Sequence, residues 1–472
     1  MDLSLDLSVR GERSVVLYRA LLEAIREGRL RSGDRLPASR TLAADLGLGR
    51  NTVTTVYERL VAEGHLEART GSGTYVADVV PLPRRRPARA ALRPRAGWAW
   101  TPRPVSGDSP PPAHDFRAGI PDGSLFPYDT WRRLVSARTR SATVPGTYAG
   151  PTGQPALRAA VARHLAYARG VQAEPDDIVT THGTQHALDL VARVLLRPGD
   201  TVAVEDPGYP SARDLFAAHG CRVVPVRVDE EGLVVDELPE RCRLVFVTPS
   251  HQFPLGPPLS LARRHALLDH ARRHDLAVVE DDYDSEFRFV ERPLDPLHRL
   301  DRDGRVIYVG TFSKSLLPAL RLGYLVAPPG LLDALAAARQ LSDGFGRPEA
   351  ELALADFIDD GLMARHVRRA TRVYAERRDL VATAAADLGL RLLPSAAGLH
   401  LTGVWDEGVS PADVEALLRA AAAEGVVAES LAGYCSLGRP AGVVLGYGAA
   451  ATASIRPGMR RLARLRARAA GR

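Results

Sequence analysis

From Asp115 onward, short apolar runs alternate with stretches whose apolar residues recur at helical spacing, and nothing else in the chain limits the fold as strongly. The runs Ile178 to Thr181, Thr201 to Val204, Arg243 to Val247, Ala277 to Glu280, Val306 to Val309 and Leu322 to Val326 predict strands. A parallel crossover needs a helix to bring the chain back, so the alternation implies an α/β fold: a mainly parallel sheet with helices on both faces. In that architecture ligands bind where the loops at the carboxyl ends of the strands converge.

Ahead of this region, residues 81 to 113 hold nine prolines among 33 residues. Proline removes amide donors and resists helix, so residues 78–113 are expected to be an extended Pro/Arg-rich linker. The chain then divides into residues 1–77, the linker, and residues 114–472, with a small subdomain from roughly residue 345 in keeping with typical domain sizes. The formal charge of +6 is unevenly placed. Residues 1–77 hold 11 Arg and 10 acids, the linker holds 7 Arg and 2 Asp, and residues 114–472 balance at 44 and 44. The linker arginines could touch phosphates, but a solvated spacer needs them equally. No apolar run reaches membrane-spanning length, and Met1 to Arg10 lacks the pattern of a secretion signal, so a cytoplasmic protein is expected. Three cysteines without metal-ligand spacing (Cys221, Cys242, Cys435) read as reduced thiols, and no metal site is expected.

The first 77 residues predict a helix at 15–27, a second at 40–46 capped by Ser39, and a third at 50–63 closed by Gly64. Two strands at 65–70 and 74–77 then flank the turn Gly71-Ser72-Gly73, a hairpin signal. Helix, helix, turn, helix and hairpin make a winged helix-turn-helix. Its third helix would enter the major groove with Arg50, Asn51, Thr52 and Thr54 near its start. Arginine reads guanine and asparagine reads adenine, while threonine hydroxyls hold phosphates. The near-zero net charge keeps a protein-interaction module open as the alternative.

One lysine, Lys314, stands against 61 arginines. A guanidinium is always charged and a poor nucleophile, whereas a desolvated amine can attack a carbonyl. The loops after the predicted strands supply what such an amine would need. Gly183-Thr184-Gln185 opens a helix whose free amides suit a phosphate. Tyr209 offers a flat aromatic plate, although a core tyrosine would look the same. Asp281 could pair with a pyridinium nitrogen or merely cap a helix, and Tyr283 follows it. Thr311 and Ser313 flank Lys314 with hydroxyls, and Arg321, seven residues on, is a bidentate partner for a phosphate. Amine, ring plate, counter-charge and phosphate cup together describe a pyridoxal phosphate site.

Three runs carry a resemblance in the first domain: Leu30 to Arg40, Leu46 to Val53 and Gly71 to Val76. They resemble the GntR family of bacterial transcription regulators, which implies DNA contacts from Arg40, Arg50, Asn51, Thr52, Thr54 and the wing residues Gly71, Ser72 and Gly73. The runs Tyr148 to Gly153, Thr181 to Leu188, Thr248 to Gly256, Glu280 to Tyr283 and Ser313 to Tyr324 look like a fold type I aminotransferase. Joined to a GntR-like head, they resemble the MocR subfamily.

That resemblance implies roles at matching positions. Lys314 would form the Schiff base, Asp281 would face the pyridine nitrogen, Tyr283 would donate to the phenolic oxygen, and Tyr209 would stack on the ring. Gly183, Thr184, Gln185, Ser313 and Arg321 would hold the phosphate, Tyr148 would reach the partner subunit's phosphate in a homodimer, and His251 would lie near the ring. Leu255 stands where threonine is commoner. For an effector carboxylate the candidate is Arg439, ahead of Gly442 to Leu445, with a surface arginine the equal alternative. The resemblance implies a regulator that binds promoter DNA and senses pyridoxal phosphate itself or an amine such as γ-aminobutyrate, taurine or a D-alanyl dipeptide. An active aminotransferase with an accessory DNA-binding head is the competing reading.

Overall fold

Gly47 and Gly64 break the first third of the chain where the sequence predicts, each taking the left-handed backbone that a helix exit needs (φ 60° and 76°). In the computed structural model of the protein, which describes residues 13–78, 98, 100, 112–140, 147–289, 295–405 and 407–470, helices α1 (Arg13–Arg26), α2 (Ser39–Leu46) and α3 (Arg50–Ala62) precede β1 (Leu66–Arg69) and β2 (Gly73–Val76). The two strands pair antiparallel, Leu66 opposite Val76 and Arg69 opposite Gly73, which is the wing. Leu17, Leu21, Val53, Val56, Leu60, Leu66 and Val76 form its core. The cap of α2 differs from expectation: Ser39 is its first helical residue, Ala38 precedes it, and no side chain caps that end. Nearly all of the proline-dense segment lies outside the described residues. The chain forms two compact units that divide near Trp98.

In the second unit, eight strands form one sheet. They are β3 (Ile178–Thr181), β4 (Thr201–Asp206), β5 (Arg222–Asp229), β6 (Gly232–Leu233), β7 (Leu244–Val247), β8 (Ala277–Asp282), β9 (Val306–Thr311) and β10 (Gly323–Val326). Their order across the sheet is β3-β10-β9-β8-β7-β4-β5-β6. The pairs β9/β8, β8/β7, β7/β4 and β4/β5 are parallel, whereas β10 runs antiparallel to both neighbours and β6 antiparallel to β5. All six expected strands are in this sheet. β5 was not anticipated because its burial is patchy, a poor match to a continuous apolar run. β8 runs on to Asp282, so Asp281 is a strand residue rather than a helix cap.

Helix α4 (Thr184–Leu195) follows β3 directly and packs its apolar face on the sheet through Leu188 and Val191. Further along, α5 (Leu362–Ala385) lies near a four-stranded antiparallel sheet of β11 (Arg391–Leu392), β12 (His400–Val404), β13 (Glu429–Ser430) and β14 (Gly442–Gly446), in the order β11-β12-β14-β13. Residues 114–119 run along this smaller sheet. His114–Asp115 pairs with Val426–Val427, and Phe116 accepts a hydrogen bond from the Gly446 amide. Backbone pairing thereby delivers Gly119 to the larger sheet's loops. No helix among the described residues is long and apolar enough to cross a membrane.

Candidate functional site

Five loops at the carboxyl ends of β3, β4, β7, β8 and β9 converge on a cavity of about 320 Å³. Thr184, Gln185, Tyr209, Asp281, Tyr283, Ser313, Lys314 and Arg321 line it, so most of the residues singled out by sequence share one space. Lys314 Nζ donates to the carbonyl of Gly119 at 2.7 Å. Burial pushes its ammonium below the ordinary value, against the opposing pull of Asp284, Asp281 and Glu429. Asp281 shifts the other way. Burial first, then the charge of Asp282, push it up to about 8, with Lys314 counteracting. A neutral acid is what desolvation demands, and an adjacent cation would reverse it. Asp282 is fixed behind it by a buried Arg169 Nε at 2.5 Å and by the hydroxyls of Tyr308 and Ser285.

The opposite end of the cavity is built for an anion. Gly183 precedes α4 with φ 85°, leaving the first amides of that helix without partners inside it. A side chain at Gly183 would meet the Arg321 guanidinium at 3.5 Å and the Thr311 hydroxyl at 3.7 Å, so these groups crowd one point. Arg321 takes left-handed backbone (φ 52°), which aims it there, and no carboxylate among the described residues pairs with it. Gln185 Nε2 is buried with no hydrogen-bond partner. A buried donor left unpaired beside a guanidinium without an acid partner fits a phosphate.

His251 lies outside the cavity lining, behind Tyr283. Its Nδ1 is 2.9 Å from Tyr283 Oη and 3.0 Å from the Asp284 carboxylate, and its Nε2 is 3.0 Å from Ser395 Oγ. Asp284 is the partner that sequence reasoning left blank. Sequence reasoning also missed Thr248, Phe253, Glu429 and Tyr434 on the cavity wall. Glu429 and Tyr434 carry no local motif, because they arrive from the smaller sheet and the turn after it, whereas Thr248 and Phe253 stand inside the Thr248 to Gly256 run with no role of their own.

Two expected residues are elsewhere. Tyr148 is 86% exposed and stacks on Phe345, centroids 4.9 Å apart, rather than entering this chain's own cavity. Arg439 does not line the cavity; its side chain is 73% exposed and its nearest acid is Glu415 at 4.0 Å. It lies on the loop ahead of β14, and its exposure is that of the surface arginine that is the equal alternative.

In the first unit, Arg40, Arg50, Asn51 and the wing residues Gly71, Ser72 and Gly73 are exposed, with Thr52 and Thr54 half-buried beside them on α3. Arg40 and Arg50 pair with no acid among the described residues, so their charge is available to an external anion. Arg35 was not anticipated; its guanidinium lies against Gly73 at the turn of the wing.

Residues 14–76 match the family model for bacterial regulatory proteins of the gntR family, and residues 121–435 match that for aminotransferase class I and II. Over 94% of its length the chain is 39% identical to the probable rhizopine catabolism regulatory protein MocR of Rhizobium meliloti, covering 92% of that protein. The chain belongs to the MocR subfamily of GntR-type transcription regulators. A second member, the pyridoxine biosynthesis transcriptional regulator PdxR of Corynebacterium glutamicum, is 34% identical over 92% of this chain and 91% of its own. Among solved structures, the kynurenine aminotransferase of Pyrococcus horikoshii, crystallised with PMP, superposes with a TM-score of 0.68 at 28% identity. That match covers 75% of this chain and 90% of the enzyme. The regulator therefore joins a GntR helix-turn-helix to a fold type I aminotransferase domain.

Proposed function

We propose that this regulator binds pyridoxal phosphate in the five-loop cavity and that occupancy of the cavity alters its binding to promoter DNA. The observation that carries the reading is the joint placement of the sole lysine and the buried Asp281 at one end of a single cavity and of Arg321, which pairs with no acid among the described residues, at the other. Lys314 would hold the aldehyde carbon, Asp281 the ring nitrogen, and Tyr283 the phenolic oxygen. Tyr209 would cover the ring face. Gln185, Thr184, Ser313 and Arg321, with the amides at the start of α4, would hold the phosphate. The cofactor supplies an aldehyde that captures amines and a cationic ring that tolerates developing negative charge. The exposed ring of Tyr148 supports a homodimer in which it completes the partner's phosphate site.

Coupling to DNA requires only that the loaded cavity favour one arrangement of the protein over another. The test is promoter binding by the full chain, with and without pyridoxal phosphate, alongside the absorbance of the lysine-bound cofactor. The expected result is a visible band that is lost in Lys314→Ala, together with a cofactor-dependent change in DNA affinity. Absence of the band in the unmutated protein overturns the proposal.

A further inference from the structure

The cavity's charge is distributed in a way that restricts the amine it can receive. Its lining holds two cations among the described residues, Lys314 and Arg321, and Arg321 belongs to the anion end beside Gly183. On the smaller sheet's side the charged residue is an acid, Glu429 on β13. Its Oε2 accepts from the Ala118 amide at 2.6 Å, and the next residue, Gly119, accepts from Lys314. One short backbone segment therefore sets the carboxylate next to the reactive amine, whose charge Glu429 stabilises.

No guanidinium balances it from the neighbouring strand. Glu429 lies opposite Val444 on β14, and β14 reads Gly442-Val-Val-Leu-Gly446 without a charge. Arg117 is near enough to feel Glu429, but its own guanidinium is committed to Asp115, with Nε at 2.8 Å and Nη2 at 2.5 Å. Arg439, the arginine that sequence offered for an effector carboxylate, is outside the cavity. An amino acid would put its amine in the place of Lys314 on the cofactor's aldehyde, one C=N bond forming as the other breaks and the lysine amine leaving free. It would bring a carboxylate into a lining whose smaller-sheet side offers Glu429 and, among the described residues, no cation, and like charges so placed repel.

We infer that the effector of this regulator is a primary amine without a carboxylate, carrying a second donor, ammonium or hydroxyl, that Glu429 accepts. The inference rests on the cofactor reading above and names the ligand class for that same cavity. Aromatic walls from Phe253 and Tyr434 suit the short carbon chain between the two donors.

The test is a titration of the full-length protein, loaded with pyridoxal phosphate, with 1,4-diaminobutane, 4-aminobutan-1-ol, n-butylamine and 4-aminobutyrate, read by absorbance of the lysine-bound cofactor. The diamine or the amino alcohol, whichever donor Glu429 prefers, perturbs the band at a concentration about tenfold below that of butylamine, and 4-aminobutyrate is the weakest. In Glu429→Gln the gap between the diamine and butylamine narrows to about twofold, because the charge is gone while the acceptor oxygen for Ala118 remains. A wild-type protein that prefers 4-aminobutyrate overturns the inference while leaving the cofactor reading intact, as does an unchanged ranking in Glu429→Gln. If the wild type shows no cofactor band, both fall together.

Discussion

Lys314 Nζ and the carbonyl oxygen of Gly119 are 2.7 Å apart, although 195 positions separate the two residues in the chain. The contact exists because His114–Asp115 pair with Val426–Val427 and Phe116 accepts from Gly446 of the smaller sheet, which carries the next residues to the lysine. Gly119 has φ 71°, and a Cβ there would come within 2.8 Å of Nζ. Gly119→Ala should therefore displace the amine and strain the backbone without touching the core. Cofactor affinity should fall by at least about tenfold, equivalent to roughly 1.4 kcal/mol. An absorbance titration checks this, and affinity within twofold of the unmutated protein would show that the segment does not position the lysine.

Asp281 presents a different balance. Its carboxyl is held neutral near pH 7 by burial, and a pyridinium beside it would draw the proton off. Asp281→Asn keeps the volume and the contact to Thr184 but supplies no charge. Hydrogen bonds to charged groups contribute about 1.5–3 kcal/mol, so pyridoxal phosphate should bind roughly ten- to a hundredfold more weakly. Equilibrium dialysis with the free cofactor measures it directly, and undiminished affinity would remove Asp281 from the ring-nitrogen role.

How far the sequence carried these arguments varies with the kind of signal. Strands and βα loops were legible because period and turn chemistry are local, and so were Gly183, Tyr209 and Lys314 on those loops and Asp281 near the end of a strand. Asp284 as the partner of His251 was not, since it is 33 positions away and meets the histidine only through the curl after β8. Glu429 gave no signal because β13 is two residues long and gains its register only from β14. Arg439 stood open between an effector contact and a surface position because nearness to a strand in sequence does not say where a loop side chain points, and it is the surface position that the structure has.

The first unit makes its own prediction. Arg50 begins α3, is exposed, and meets no acid among the described residues. If it reads a base, Arg50→Ala should weaken operator binding by about 1–3 kcal/mol and relax the preference at one position. If it holds a phosphate, the loss should be uniform across sequences and should reduce the salt dependence by about one ion. Binding measured at several salt concentrations on a specific and a scrambled site separates the two. An affinity equal to that of the unmutated protein on both would move the interface off the start of α3.

Glu205 ties stability to pH. It is buried at the end of β4, where the Thr248 hydroxyl donates to it at 2.5 Å and the Thr248 amide at 3.1 Å, yet burial still pushes its carboxyl from 4.5 up to about 7. The folded protein then keeps a proton that the unfolded chain releases above pH 4.5. Stability linked to this group is thus fully present below 4.5, declines as pH rises, and is lost once pH passes about 7. At 1.36 kcal/mol per unit the window is worth about 3 kcal/mol. Glu205→Gln cannot ionise but can still accept from Thr248, so it should escape that loss. Denaturation midpoints of the cofactor-free protein at pH 5, 6, 7 and 8 should show the variant gaining on the unmutated chain at each step up to pH 7 and holding its lead at pH 8. Parallel curves would mean that Glu205 is already ionised in the folded state and that the Thr248 donors outweigh its burial.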